Sequence, residues 1–147
     1  MSSRDADVVA LTRSFEGGSL PPNYCCFFAC FHRQWFFEAH EVLEELWLKE
    51  RGRPDADFYK GLIQLAGAFV HLQRDRLRPA AALFKLARAN LKKYAAQHQR
   101  LDTFQVRGLI EEWLCELEGG DYAVNPLRSK PAPRVDLEDG FPSLRSR

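Results

Sequence analysis

The sequence predicts an all-α fold, a compact bundle of about five helices in which sequence neighbours run antiparallel. Three observations carry that expectation. Apolar residues recur at the 3.6-residue period in successive segments, no segment alternates with the two-residue period of a strand, and Gly or Pro punctuates the chain at short intervals. With 147 residues, 46% of them hydrophobic, the chain is long enough to fill one core.

Residues 1–20 read as an N-terminal extension, where Val8, Val9, Leu11 and Phe15 give a weak helical pattern that stops at Gly17-Gly18. Pro21-Pro22 then opens the bundle domain, 21–120. Its first helix is expected over about 23–32, and the second over about 34–50, closed by Gly52 as a left-handed stop and by Pro54. A third helix is expected over about 57–74 with Asp55 or Asp57 as its cap. Pro79 starts a fourth, with Leu83, Leu86, Ala87, Leu91 and Tyr94 at helical spacing. Asp102 or Thr103 caps a fifth, whose apolar stripe from Phe104 to Leu117 ends at Gly119-Gly120. Residues 121–147 carry four prolines and are expected to wrap the surface as an irregular tail or to remain disordered.

A net charge of +1 sets up no global field that would commit the chain to nucleic acid or to a membrane surface. The longest apolar run, Tyr24 to Phe31, is eight residues, far short of the roughly 20 needed to span a bilayer. The first residues lack the order of a secretory signal, which predicts a cytoplasmic, reducing setting and free cysteines. Cys25, Cys26 and Cys30 lie among aromatics and read as packing residues, and with Cys115 distant the spacing fits no zinc pattern. Lys85, Arg88 and Lys92, with Arg74, Arg76 and Arg78 ahead of them, form a basic stripe. It lacks interleaved aromatics, which favours a solvated helix face over an RNA surface.

The distinctive chemistry sits on the second helix. On a wheel of 100° per residue, Trp35, Phe36, Ala39, Val42, Leu43, Leu46 and Trp47 fill one apolar arc. Glu38, Glu45 and Lys49 fall on the side expected to face solvent, while His40, Glu41 and Glu44 lie between, interleaved with Phe37 and Leu48. On the third helix Lys60, Gln64, Gly67 and His71, at i, i+4, i+7 and i+11, make one polar stripe on an otherwise apolar surface. If the two helices form a hairpin, Glu44 comes level with Ile63 and Gln64, and His40 with Gly67. The two polar stripes then meet.

Buried charge needs a partner, so this constellation admits three readings. In the first, His40, Glu41, Glu44, Lys60, Gln64 and His71 satisfy one another as an internal network in a non-enzymatic assembly or adaptor module. In the second, His40, Glu44 and His71 hold a divalent zinc, manganese or iron ion, and Glu41 is general base on a metal-bound water. The string His40-Glu41-Val42-Leu43-Glu44 resembles the His-Glu-x-x-His metalloprotease helix with its last histidine replaced. In the third, a cleft binds a small polar or anionic ligand with Lys60 as its positive group. A protein partner or an oligomer is compatible with each.

The residues Phe36-Phe-Glu-Ala-His-Glu-Val-Leu-Glu-Glu-Leu-Trp47, followed by Phe58-Tyr-Lys-Gly-Leu-Ile-Gln-Leu-Ala66 and His71, resemble the domain-of-unknown-function family 309. These are small helical proteins labelled predicted metal-dependent hydrolases. The resemblance, over roughly residues 23–95, marks Glu38, His40, Glu41, Glu44 and Trp47 as motif residues, with Gln64 and His71 the matching polar positions on the next helix. Where the family shows an Asn and a turn glycine before the motif, this chain has His32-Arg33-Gln34.

Overall fold

The computed structural model describes residues 3–138. Six α-helices are formed among them: α1 (Ser3–Ser14), α2 (Pro22–His32), α3 (Phe36–Glu50), α4 (Ala56–Gln73), α5 (Leu77–Leu91) and α6 (Thr103–Gly119). A two-stranded antiparallel ladder, β1 (Gln97–His98) and β2 (Leu101–Asp102), joins α5 to α6, and a 3-10 turn, Pro126–Arg128, follows α6. The helical bundle is as expected. The ladder is not, because strands of two residues are too short to leave a period in the sequence. Its turn puts Gln99 and Arg100 at φ 45° and 62°, the geometry in which a two-residue turn follows the twist of its strands.

Apolar on nearly every side, α4 takes the centre, packed most extensively against α5 and α3. Phe69 is the node of the core. Its ring meets Phe31 of α2, Phe36 of α3, Phe84 of α5 and Trp113 of α6 at centroid distances of 5.7, 5.1, 5.3 and 5.0 Å. Aromatic pairs of this kind add about 0.5–1.5 kcal/mol each beyond area burial, so four helices are tied through one residue. Cys25, Cys26 and Cys30 are buried in the same core and Cys115 is exposed, all as free thiols.

The ends of the chain are more built than the sequence suggests. Residues expected as an extension form α1, which packs on α2 and α3 and buries Phe15. It also covers part of the α3 face read as solvent-facing: Glu38 retains 12% side-chain exposure and pairs with Arg4 at 3.4 Å. After α6, residues 121–138 strap back over the bundle. Asn125 Nδ2 donates to Leu72 O and Asp75 Oδ1 at 2.7 and 2.8 Å. Further on, Val135 and Leu137 are buried, and His32 Nε2 lies 2.8 Å from Val135 O. Phe141 and Pro142 of the predicted tail lie outside the described residues.

Two local expectations resolve differently. Asp55 stands at the N-cap of α4, but its side chain does not cap the helix. Its carboxylate instead lies 2.8 Å from His98 Nε2 and accepts from Gln99 Nε2 at 2.8 Å, tying the α3–α4 turn to the ladder. Before α3, in the stretch His32-Arg33-Gln34, Gln34 takes the left-handed conformation, φ 60°.

Candidate functional site

The stripe on α4 becomes the floor of an open cleft of about 320 Å³. From this floor rise Lys60, Gln64, Gly67 and His71, with Ile63 and Val70 between them. Phe37, His40 and Glu44 of α3 form one wall, and Leu83 of α5 closes the other. The antiparallel α3–α4 pairing therefore brings the two polar stripes to one place. Gly67 acts differently from expectation: a Cβ there would meet Leu83 Cδ1 at 3.0 Å, so the missing side chain admits α5 rather than α3.

The polar groups do not neutralise one another as a closed network. The Lys60 ammonium lies over the Trp47 ring, 4.2 Å from its centroid. Glu44 Oε2 is 3.8 Å from His40 Nε2, a loose i, i+4 pair with both side chains partly open to solvent. Among the described residues, neither Lys60 nor Arg74, which lines the far end of the cleft, ion-pairs with a carboxylate. Gln64 is oriented from behind. Its Oε1 accepts from Asn90 Nδ2 at 2.8 Å, and Asn90 Oδ1 accepts from Lys93 Nζ at 3.1 Å. That relay fixes the amide so that Nε2 is left as a donor.

The surroundings of His71 disfavour its protonated form. Desolvation, with the charges of Arg76 and Arg74 adding, lowers its pKa below the ordinary 6.5. Its Nδ1 is enclosed and has no hydrogen-bond partner. The cleft thus presents the cations Lys60 and Arg74, the Glu44 carboxylate, the Gln64 amide and the imidazoles of His40 and His71 against an apolar lining.

Two residues of the sequence-derived set lie elsewhere. Glu41 and Glu38 line a second groove, between α3 and α1. Desolvation there raises the Glu41 carboxyl above its ordinary value, and the carboxylates of Asp5, Glu38 and Glu44 push the same way. Trp47 meets the site only through Lys60. Sequence reasoning gave Arg74 to the basic stripe and not to this site, although it continues the α4 stripe at i+14 from Lys60. Leu83 and Asn90 come from a helix whose rotation no local pattern fixed.

A divalent ion needs ligand atoms converging within about 2–2.2 Å of one point. His40 and Glu44 approach each other and His71 lines the same cleft, yet among the described residues no group of three or more His, Cys, Asp or Glu side chains is arranged to hold an ion. The donor set as it stands does not fit a three-ligand centre.

Residues 24–83 match the family model described as domain of unknown function (DUF309). The matched stretch runs from α2 into α5 and contains every residue that lines the cleft. No curated protein and no solved structure matches the chain. Among the described residues no helix is long and apolar enough to cross a membrane.

Proposed function

From this DUF309 segment, we propose that the α3–α4–α5 cleft binds a small organic anion with an apolar body, a carboxylate being the simplest case. The observation that carries the reading is the pair of cations without carboxylate partners among the described residues, Lys60 and Arg74, in one open cleft. A cation held over an aromatic face and not in an ion pair, as Lys60 is, keeps attraction for an incoming anion. The Gln64 Nε2 donor, set by Asn90, adds a directed hydrogen bond beside Lys60. Phe37, Ile63, Val70 and Leu83 supply apolar contact for the rest of the ligand. The volume sits at the small end of ligand pockets, which run from about 300 to 1,000 Å³.

Titration calorimetry with a series of aliphatic and aromatic monocarboxylates tests the reading. The expected result is saturable binding by the wild type, weakened about tenfold or more in Lys60→Met, the size of one lost charge-assisted contact. The reading fails if no carboxylate in the series binds, or if Lys60→Met binds as the wild type does. The metal expectation of the sequence falls on His40, Glu44 and His71 of this cleft, and its general base, Glu41, on the neighbouring groove. Metal content of the purified wild type beside a His40→Ala/Glu44→Ala variant addresses that expectation separately, because anion binding through Lys60 requires no ion.

A further inference from the structure

We infer that a second cleft, at the α4–α5 turn, is a binding site for a nucleoside phosphate. It encloses about 710 Å³ between that turn and the segment after α6. Four charged side chains line it: Arg76, Arg78, Arg128 and Asp75. The one carboxylate is already engaged. Asp75 Oδ2 accepts from Arg128 at 2.7 Å and Oδ1 from Asn125 Nδ2 at 2.8 Å, so it serves to brace the wall.

Arg78 is positioned as well. Its guanidinium carbon lies 4.4 Å from the centroid of Tyr122, stacked on that ring. Neither Arg76 nor Arg78 ion-pairs with a carboxylate among the described residues, while the basic residues farther along α5 are neutralised: Lys85 pairs with Glu118 at 3.6 Å and Arg88 with Glu111. The basic stripe read from the sequence is thus split. Lys85 and Arg88 are matched by α6, Arg74 lines the α3–α4–α5 cleft, and Arg76 and Arg78 line this one.

The ligand class follows from the donors. A guanidinium is a planar fork that fits phosphate oxygens two at a time, and a phosphate monoester offers three terminal oxygens and close to two negative charges. The guanidinium groups of Arg76 and Arg78, beside Arg128 held on Asp75, suit that better than a single carboxylate. The stacked Arg78–Tyr122 pair adds a flat platform at the rim, the arrangement on which nucleobases stack. The same chemistry is presented by a free nucleotide and by a nucleotide of a single-stranded RNA.

The test uses the full chain and titrates adenosine monophosphate, inorganic phosphate and a short single-stranded RNA at low salt. The wild type is expected to bind the nucleotide more tightly than inorganic phosphate. Arg76→Gln/Arg78→Gln should weaken the nucleotide about tenfold or more. Tyr122→Asn should remove the preference over inorganic phosphate; Asn tolerates the φ of 58° at this position, so the ring is lost without new backbone strain. Lys60→Met should leave nucleotide binding as in the wild type, which separates this site from the carboxylate cleft. Binding of RNA without the free nucleotide, with a log–log salt slope of about −1.4 for two neutralised phosphates, assigns the strand as the source. The proposal is overturned if neither nucleotide nor RNA binds the wild type. It is equally overturned if the double arginine variant or Tyr122→Asn binds nucleotide as the wild type does, or if Lys60→Met abolishes binding.

Discussion

The Lys60 ammonium rests 4.2 Å from the centroid of the Trp47 ring, bridging α4 and α3, although Glu44 lines the same cleft. An exposed cation–π contact is worth about 0.5–1 kcal/mol, more when desolvated. Trp47→Leu also removes aromatic area packed against the core. It is expected to lower unfolding free energy by about 1–2 kcal/mol in urea titrations. A double-mutant cycle with Lys60→Met should show a coupling of about 0.5–1 kcal/mol. Strict additivity would mean that the ring does not hold the ammonium.

Much of this fold was legible because long helices repeat their signal. The α3 and α4 patterns each ran over several turns, and hairpin level-counting was enough to set His40 and Glu44 beside Gln64 and Gly67. What escaped was decided by tertiary contact. The α1 segment has little amphipathic character of its own and is held by Phe15 and by Arg4 on Glu38, partners distant in sequence. Asp55 looked like a cap because caps are local, but His98 and Gln99 compete for the same carboxylate from 43 and 44 residues away. Lys60 suggested a carboxylate partner because the helix wheel shows charge but not the ring opposite. The second cleft needed Tyr122 and Arg128, from a stretch whose proline content gave no register at all.

The depressed pKa of His71 gives a signed pH dependence. Its folded value lies below the ordinary 6.5, chiefly because the imidazole is desolvated. The unfolded chain therefore takes up the proton first. The contribution of His71 to stability is fully present above 6.5 and is lost as pH falls from there toward the folded pKa. Between about pH 7.5 and about pH 5 the wild type should lose stability more steeply than His71→Gln. Equal slopes in denaturant titrations at several pH values would show that His71 is not the group responsible.

Gln34 carries backbone strain at the turn between α2 and α3. Its φ of 60° places a non-glycine residue in the left-handed region, a placement costing about 1 kcal/mol for a residue without a short polar side chain. The turn itself is well bonded, with Trp35 N donating to Cys30 O at 2.9 Å, so the strain is held in place by its surroundings. Gln34→Asn and Gln34→Gly should each stabilise the protein, by a few tenths to about 1 kcal/mol, because both residues accept this conformation. Gln34→Val should destabilise it by more than about 1 kcal/mol, since a β-branched residue is least tolerant there. Melting temperatures of the three variants decide the order.

Gly61 and Gly67 both lie where α4 meets α5, and replacing each by alanine should have different consequences. Alanine favours a helix interior by about 1 kcal/mol over glycine, so the outcome depends on the room for one methyl group. At Gly61 a Cβ would meet Leu91 Cγ at 3.1 Å and Asn90 Cβ at 3.2 Å, atoms close to the α5 backbone, and Leu91 has 0% exposure. Relief there requires α5 to move. Gly61→Ala should destabilise by about 1–3 kcal/mol, the range for an overpacked core. It should also disturb the Asn90–Gln64 hydrogen bond. At Gly67 the single close atom is Leu83 Cδ1, the tip of a partly exposed side chain beside an open cleft. A rotation of Leu83 relieves that contact at little cost, leaving the propensity gain to offset it. Gly67→Ala should therefore be near neutral in stability while pushing Leu83 into the cleft and weakening carboxylate binding. A Gly67→Ala protein that is markedly destabilised, or a Gly61→Ala protein that is not, would contradict the α4–α5 geometry on which both clefts depend.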